Sequence, residues 1–268
     1  MNKINKLSVI IPAYNKDTEV FRVVSNIVHE LKKLQHPWEI IVVDDASRDS
    51  TLREAVRSKA FNGNTQNIKI FSYNLNQGKG FALYHGFKQS SGDTIVFADS
   101  DLDLPAANLP YIIKNFAKSN AHIVIGSKRH PLSKVNYPLF RKFQSKTYQI
   151  LVKTLFNLNV SDTQVGLKIF RREVLKECFP RIVVKAFAFD LELLVVANKL
   201  GFSKIEESPV VLNYNFSPTI RLSCIKQIIN DTLAIFYRKH FLKYYDKPHY
   251  QLEENNIVTN YPSASVTV

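Results

Sequence analysis

Three carboxylates at alternating positions, Asp99, Asp101 and Asp103, follow directly on the apolar run Thr94-Ile95-Val96-Phe97-Ala98. Carboxylate oxygens are hard ligands that suit Mg²⁺ or Mn²⁺, and such ions commonly bridge a carboxylate to nucleotide phosphates. In open α/β sheets, ligands bind beyond the carboxyl ends of the strands. The cluster falls there if the apolar run is a strand, which points to a metal site for a phosphorylated substrate. A solvated acidic turn capping the next helix explains the same residues. For a lone Asp-x-Asp that plainer explanation is the commoner one.

A second segment with possible chemistry is Asn76-Gln77-Gly78-Lys79-Gly80. Lys79 and a helix start behind it could hold an anionic phosphate; a turn that needs glycine is the simpler account. The segment is not a Walker P-loop, because Gly80 follows Lys79 where Ser or Thr is required. No Gly-x-Gly-x-x-Gly follows the first strand, which argues against a dinucleotide-binding enzyme. Cys178 and Cys224 are the only cysteines. They form neither a disulfide framework nor a zinc spacing, and a reducing compartment fits them.

The elements that must position these groups are legible from periodicity. Leu7 to Pro12, Glu39 to Val43, Ile68 to Tyr73 and Thr94 to Ala98 are buried-strand runs. Between them, Val20, Val23, Val24, Ile27, Val28 and Leu31 repeat at helical spacing. Ser47, Asp49 and Ser50 are cap candidates for a second helix, and Gly80 to about Gln89 forms a third. Strands alternating with helices predict an α/β fold with a mainly parallel sheet. Tyr14-Asn15, Asp44-Asp45 and Asp99 to Asp103 then share one sheet edge.

The chain has 268 residues, 45% hydrophobic and 22% charged, with a net charge of +13. This is globular composition, and the basic balance favours polyanionic partners. Zinc-finger and RNP-type motifs are absent, so nucleic acid is not expected. Residues 132–160 interleave Leu139, Phe140, Phe143, Ile150 and Leu151 with Lys134, Arg141, Lys142, Lys146 and Lys153. A similar region at 220–245 carries Ile225, Ile229, Leu233 and Phe236 beside Arg221, Lys226, Arg238 and Lys243. Basic amphipathic helices suit an anionic membrane surface, and equally a core-facing helix with a solvated basic face. No apolar run approaches the ~20 residues that span a bilayer, and Met1 to Lys6 do not read as a signal peptide.

Several segments occur in a telling order: Val9-Ile10-Ile11-Pro12-Ala13-Tyr14-Asn15, Val42-Val43-Asp44-Asp45-Ala46-Ser47, Asn76 to Gly80, and Asp99-Ser100-Asp101. Together they resemble the inverting glycosyltransferases of the GT-A fold, glycosyltransferase family 2. Ser161-Asp162-Thr163-Gln164-Val165-Gly166-Leu167-Lys168 and Ala188-Phe189-Asp190-Leu191-Glu192 narrow the likeness to the dolichyl- or polyprenyl-phosphate glycosyltransferases, nearest the glucosyl branch. The resemblance spans residues 7–245 and implies a Rossmann-like, mainly parallel sheet flanked by helices, with C-terminal basic amphipathic helices.

It also implies roles by matched position. Pro12, Tyr14, Asn15, Glu19, Asp44, Asp45, Lys79, Asp99 and Ser100 bind the nucleotide sugar, with Asp45 on the base or ribose and Glu19 slightly beyond the usual acidic position. Asp99, Asp101 and Asp103 hold Mg²⁺ or Mn²⁺; Asp103 stands where relatives often have Gln. Lys128, Arg129, Arg141, Gln164, Lys168 and Arg221 serve the acceptor phosphate, and Lys128 replaces a usual Arg. Asp190 joins Asp99 and Asp101 as a catalytic residue, although Asp190 and Glu192 equally suit a helix start as caps.

The implied reaction moves a hexose, favouring glucose from UDP-glucose over mannose from GDP-mannose, onto dolichyl or polyprenyl phosphate with inversion. A soluble transferase acting on a sugar or protein hydroxyl is the alternative, with Asp190 as its general base. The expected organisation is a catalytic domain over 1–218 with the helical insertion 132–160, a basic helical region over 219–247 and a flexible tail over 248–268. The expected location is peripheral, on the cytoplasmic face of a membrane, with a membrane partner or a second copy as possible company.

Overall fold

The computed structural model describes residues 1–63, 66–134, 139–185, 188–212, 222–249 and 259–260. Its elements run β1 (Leu7–Ala13), α1 (Val20–Leu31), β2 (Trp38–Asp44), α2 (Thr51–Phe61), β3 (Ile68–Ser72), α3 (Lys79–Gln89) and β4 (Thr94–Phe97). Then come α4 (Asn108–Lys118), β5 (Ile123–Ser127), α5 (Leu139–Phe156), β6 (Lys168–Arg171), α6 (Arg172–Cys178), α7 (Phe189–Lys199), β7 (Ile205–Pro209), α8 (Leu222–His240) and β8 (Thr259–Asn260). The sheet order is β7-β5-β6-β4-β1-β2-β3-β8.

β1 and β2 are buried along their whole length, as their unbroken apolar runs require of central strands. Their side chains alternate between two cores. Val9, Ile11, Ile40 and Val42 face α1, α2 and α4 through Val24, Ala55 and Ile112. Ile10, Ile41 and Val43 face the other layer, with Leu83 of α3, Leu175 of α6, Leu194 of α7 and Ile235 of α8. The apolar positions of α1 read from its spacing, Val20 through Leu31, are all buried.

β3, β2, β1 and β4 are parallel, so Ala13 pairs with Asp44 and Ile10 with Phe97 in register. Their carboxyl ends therefore lie along one edge, as expected. β6 runs antiparallel between β4 and β5, pairing Phe97 with Lys168 and Ile125 with Lys168. This reversal, which periodicity did not reveal, brings the start of β6 to the same edge as the ends of β4 and β5. Of the expected tail 248–268, Thr259 and Asn260 pair antiparallel with Ser72 and Phe71, and His249 stacks on Tyr244. The remainder lies outside the described residues, apart from Pro248.

At the opposite end of the central strands a buried carboxylate ties three segments together. Glu39, beside Ser8 in register, accepts hydrogen bonds from Ser8 Oγ (2.7 Å), the Ser91 amide (2.6 Å) and Lys69 Nζ (2.9 Å). Burial alone would raise its pKa; the Lys69, Ser8 and Ser91 donors outweigh that and hold it at about 2. A folded-state pKa below the unfolded value means the stabilisation is complete above the unfolded pKa of about 4.5 and is lost as pH falls through about 2. Glu39→Gln should therefore destabilise the protein by roughly 2–3 kcal/mol at pH 7. Urea unfolding of both proteins should show that gap narrowing at pH 3.

Candidate active site

The loops after β1, β2, β3 and β4 meet at the shared edge and are stitched to one another. The Asn15 amide donates to Ser47 Oγ (2.9 Å) and Asn15 Oδ1 accepts the Arg48 amide (3.0 Å). Asn15 and Ala46 both hold left-handed backbone, at φ 50° and 57°, so these two turns are fixed by mutual contacts rather than by glycine. Of the three candidates Ser50 holds the N-cap position of α2 without a side-chain cap bond, and Asp49 before it accepts the Thr51 amide on Oδ1 at 2.9 Å. Pro12 is buried within β1, and Tyr14 stands exposed at the mouth of the edge. Glu19 sits at the N-cap of α1, paired with Lys16 at 3.4 Å.

Asp44 and Asp45 are adjacent in sequence yet differently employed. Asp45 is nearly enclosed and accepts from Tyr73 Oη (2.7 Å), Asn76 Nδ2 (3.0 Å) and the Gln77 and Gly78 amides (2.7 and 2.8 Å). Its carboxylate is occupied by Tyr73 and the loop between β3 and α3, so it shapes that loop. Asp44 uses Oδ2 on Ser72 Oγ at 2.9 Å; its buried Oδ1 completes no hydrogen bond, although Ser47 also acts on the carboxyl as a donor. Burial raises the pKa of both, and their donors offset this only partly.

Gly78 begins α3 at φ 89°, and a Cβ there would stand 2.6 Å from the Lys185 carbonyl oxygen. Both facts demand glycine. The turn aims the next residue, Lys79, across the site. Its Nζ lies 2.8 Å from Asp99 Oδ1 and 3.2 Å from Asp190 Oδ2. Asp45 and Asp99 are thus joined through two consecutive residues, the Gly78 amide and the Lys79 ammonium. Burial would lower the Lys79 pKa, but Asp190 and Asp99 outweigh it and hold the ammonium well above its usual range.

Asp190 stands in the first turn of α7, wholly enclosed by charge of opposite sign. Lys168 Nζ reaches its Oδ1 at 2.6 Å, and Lys79 takes Oδ2. Burial raises the Asp190 pKa; the two ammonium groups prevail and hold it below the usual carboxylate range. Lys168, expected on the acceptor phosphate, has no exposed surface and spends its ammonium on Asp190 and the Val165 carbonyl. It secures Asp190 from behind. Glu192 faces away from Lys79 and binds the Val183 and Val184 amides at 2.9 and 2.6 Å.

Asp99 lies against the segment before β6 so closely that a Cβ on Gly166 would stand 1.6 Å from its Oδ2. Asp101 is half-buried. Burial, then Asp99 and Asp103, raise its pKa, with Lys16 pulling the other way. Asp103 is exposed, its amide on Asp101 Oδ1 at 3.3 Å, and Ser100 is buried. Among the described residues, no three acidic, imidazole or thiol groups form a ready metal cage. The crowded, hard oxygens of Asp99 and Asp101 nevertheless suit Mg²⁺ or Mn²⁺, which typically take one or two carboxylates and complete their shell with substrate phosphates.

On the far side, the Lys128 amide donates to Asp162 Oδ2 (3.2 Å), whose Oδ1 takes the Gln164 amide. Asp162 is a turn-forming residue here. Gln164 Nε2 is buried without a partner, and Arg129 is tied to Gln149 of α5. Arg221 lies outside the described residues, as does the side chain of Arg141. Sequence reasoning missed Lys16, Ser47, Tyr73, Asn76 and Gly166. Of these, Ser47, Asn76 and Gly166 stood inside the quoted motifs, where their type was the available signal.

The profile of Glycosyl transferase family 2 matches residues 8–179. A dolichyl-phosphate beta-glucosyltransferase of Trichomonas vaginalis is 31% identical over 254 residues, covering 91% of this chain and 77% of the relative. One of Dictyostelium discoideum is 30% identical over 243 residues, covering 87% and 74%. Among solved structures, glucosyl-3-phosphoglycerate synthase of Mycobacterium tuberculosis in complex with Mn²⁺, UDP-glucose and phosphoglyceric acid superposes with a TM-score of 0.66 at 20% identity, over 88% of this chain and 79% of that one. That likeness establishes a shared GT-A fold. With carboxylates of separate loops joined at one sheet edge and the profile covering most of the chain, the protein belongs to glycosyl transferase family 2 and is a glycosyltransferase.

Proposed function

We propose that this enzyme transfers glucose from UDP-glucose to the phosphate of a polyprenyl or dolichyl lipid, with inversion at the anomeric carbon. The observation that carries this reading is the state of Asp190. A carboxylate gripped by two ammonium groups, with its pKa depressed, is a weak general base. An alcohol acceptor needs a base; a phosphate monoester, with a second pKa near about 6, arrives largely ionised. The site is therefore suited to a nucleophile that brings its own charge. The relatives named as dolichyl-phosphate beta-glucosyltransferases support the same acceptor.

In this reading the unpaired Asp44 Oδ1 accepts a hydrogen bond from the donor nucleoside, beside Asn15 and Tyr14. Lys79 faces the donor between Asp99 and Asp190. Asp99 and Asp101 hold the divalent cation, which when bound neutralises charge on the departing diphosphate. Lys128, Arg129 and Gln164, at the ends of β5 and the start of β6, face the acceptor phosphate; the buried, unpaired Gln164 Nε2 is a donor in need of an acceptor. Asp190, fixed by Lys168, orients Lys79.

A lipid acceptor also needs the enzyme at a bilayer. No helix among the described residues is long and apolar enough to cross one. On α8 and just beyond it, Ile229, Leu233, Tyr237 and Phe241 stand exposed at four-residue spacing, with Leu242 beside them and Ile150 exposed on α5. Arg238 and Lys239 of the same helix turn inward, onto Glu192 and the Phe156 carbonyl. Lys153 and Lys243 remain as exposed cations. This apolar strip with flanking lysines rests on the surface of an anionic leaflet, on the cytoplasmic face.

The decisive experiment offers UDP-glucose, GDP-mannose and UDP-GlcNAc to the enzyme with polyprenyl phosphate, or with soluble sugars and peptides, in Mg²⁺ or Mn²⁺. Lipid-linked glucose is expected; product only on a soluble hydroxyl would overturn the acceptor, and lipid-linked mannose the donor. Asp101→Ala should fold normally and lose at least about 10²-fold in turnover. With lipid phosphate, kcat/KM should climb with pH through about 6 and then level. Asp190→Asn should slow the reaction yet keep that limb, whereas a general-base role would remove any base-dependent limb along with it. Leu233→Glu combined with Phe241→Glu should cut cosedimentation with anionic vesicles several-fold, while UDP affinity in solution stays unchanged.

A further inference from the structure

Glu192 has no place in the chemistry above, yet it is fully buried and among the most heavily bonded carboxylates in the protein. Oε1 accepts from Tyr245 Oη at 2.6 Å and from Arg238 at 3.1 Å, and Arg238 Nε also donates to Tyr245 Oη at 3.0 Å. Oε2 accepts the Val183 and Val184 amides. One carboxylate thus binds α8, the chain just after it and the strand-like loop 182–185.

That loop is the far wall of the donor turn. The Lys185 carbonyl accepts the Gly80 amide at 2.9 Å and lies where any Cβ on Gly78 would collide. The Val184 carbonyl stands 3.1 Å from the Cβ position of Gly80, and Lys185 Nζ reaches Gln77 Oε1 at 3.4 Å. The donor turn is therefore held on one side by Asp45 and on the other by residues that Glu192 fixes. Lys79 leaves that turn between these two supports.

We propose that the Glu192–Arg238–Tyr245 clamp is a positioning device for the glycosyl-transfer site: it anchors the C-terminal helix to loop 182–185 and so sets the seat of Lys79. Glu192 touches neither donor nor acceptor. The Tyr245–Glu192 hydrogen bond is buried, and the Arg238, Val183 and Val184 links are part-buried on a fully buried carboxylate, which is costly to leave unmatched. The helix that carries the exposed Leu233, Tyr237 and Phe241 strip is the one bolted to the donor turn, so a displacement of that helix reaches Lys79 through bonded atoms.

The proposal rests on the donor assignment above, but its first readout is independent of any substrate. Amide hydrogen exchange over residues 77–81 in the full chain should quicken about 3- to 10-fold in Arg238→Met and in Tyr245→Phe. Arg238→Lys, which keeps a cation opposite Glu192, should restore most of the protection. Isothermal titration with UDP, and in parallel GDP, in the presence of Mn²⁺ should show a Kd weakened by a similar factor. Ile235→Val, a core change on the same helix outside the clamp, controls for general destabilisation and should leave both readouts at the wild-type level. Unchanged exchange over 77–81 in Arg238→Met, or an equal change in Ile235→Val, overturns the clamp. If the clamp holds but wild-type enzyme binds neither nucleotide, the donor assignment fails and the positioning role stands.

Discussion

Lys79 is the group on which the rest of the site depends. Its ammonium neutralises two carboxylates from separate elements, Asp99 after β4 and Asp190 on α7. Three buried or half-buried carboxylates converge on one edge of a sheet, and their mutual repulsion and desolvation would otherwise favour protonation or unfolding. A second ammonium, Lys168, completes the arrangement from inside the core. Asp101 has less compensation: its charge is answered chiefly by Lys16, at some distance, and its pKa is raised. The residual negative charge lies where a cation and a diphosphate would enter, so the fold leaves the vacancy of charge at the point of use.

The sheet supplies the geometry. Parallel strands alone would deliver their carboxyl ends to the edge and nothing else. The reversal at β6 delivers an amino end as well, placing Gly166 under Asp99 and Lys168 beneath Asp190. The reversal therefore divides the edge. In the proposed reading, loops of β1 to β3 form the donor side around Asp44, while the end of β5 and the start of β6 form the acceptor side around Lys128 and Gln164. Asp99 and Lys79 stand at the boundary.

The strands and helices of the first half were legible because buried parallel strands and amphipathic helices have different periods, and glycine and acidic residues punctuated them. The location of the site was legible for the same reason, since strand ends can be counted. What each residue does there was less so. Asp44 and Asp45 are chemically identical in the sequence, and only the turn of Gln77 and Gly78 decides that Asp45 is saturated. Matched position puts Lys168 on the acceptor phosphate; its strand position in a reversed β6 buries it. The basic residues of α8 showed the same ambiguity. Helical spacing cannot say that Arg238 and Lys239 point inward while Tyr237 and Phe241 point out.

These inversions share one cause, and it bears on mechanism. A buried charge is tolerated when it has a partner, so the ionic groups with complete partners are the ones that build the site, and those with open valences are the ones that meet substrate. Asp45, Asp190, Glu192 and Lys168 are complete. Asp44 Oδ1, Gln164 Nε2 and the under-compensated Asp101 are not. In the proposed reading these three fall in donor, acceptor and cation positions; Arg181 Nε and Asp231 Oδ2, also buried without a hydrogen-bond partner, have no part in it. Asp190, locked between two lysines with its pKa lowered, is poorly suited to take a proton from a neutral acceptor. The same lock holds Lys79 as an ammonium, beside the leaving diphosphate in the proposed reading. Under that reading the arrangement forgoes base catalysis and gains a permanent cation, which suits an acceptor already carrying negative charge.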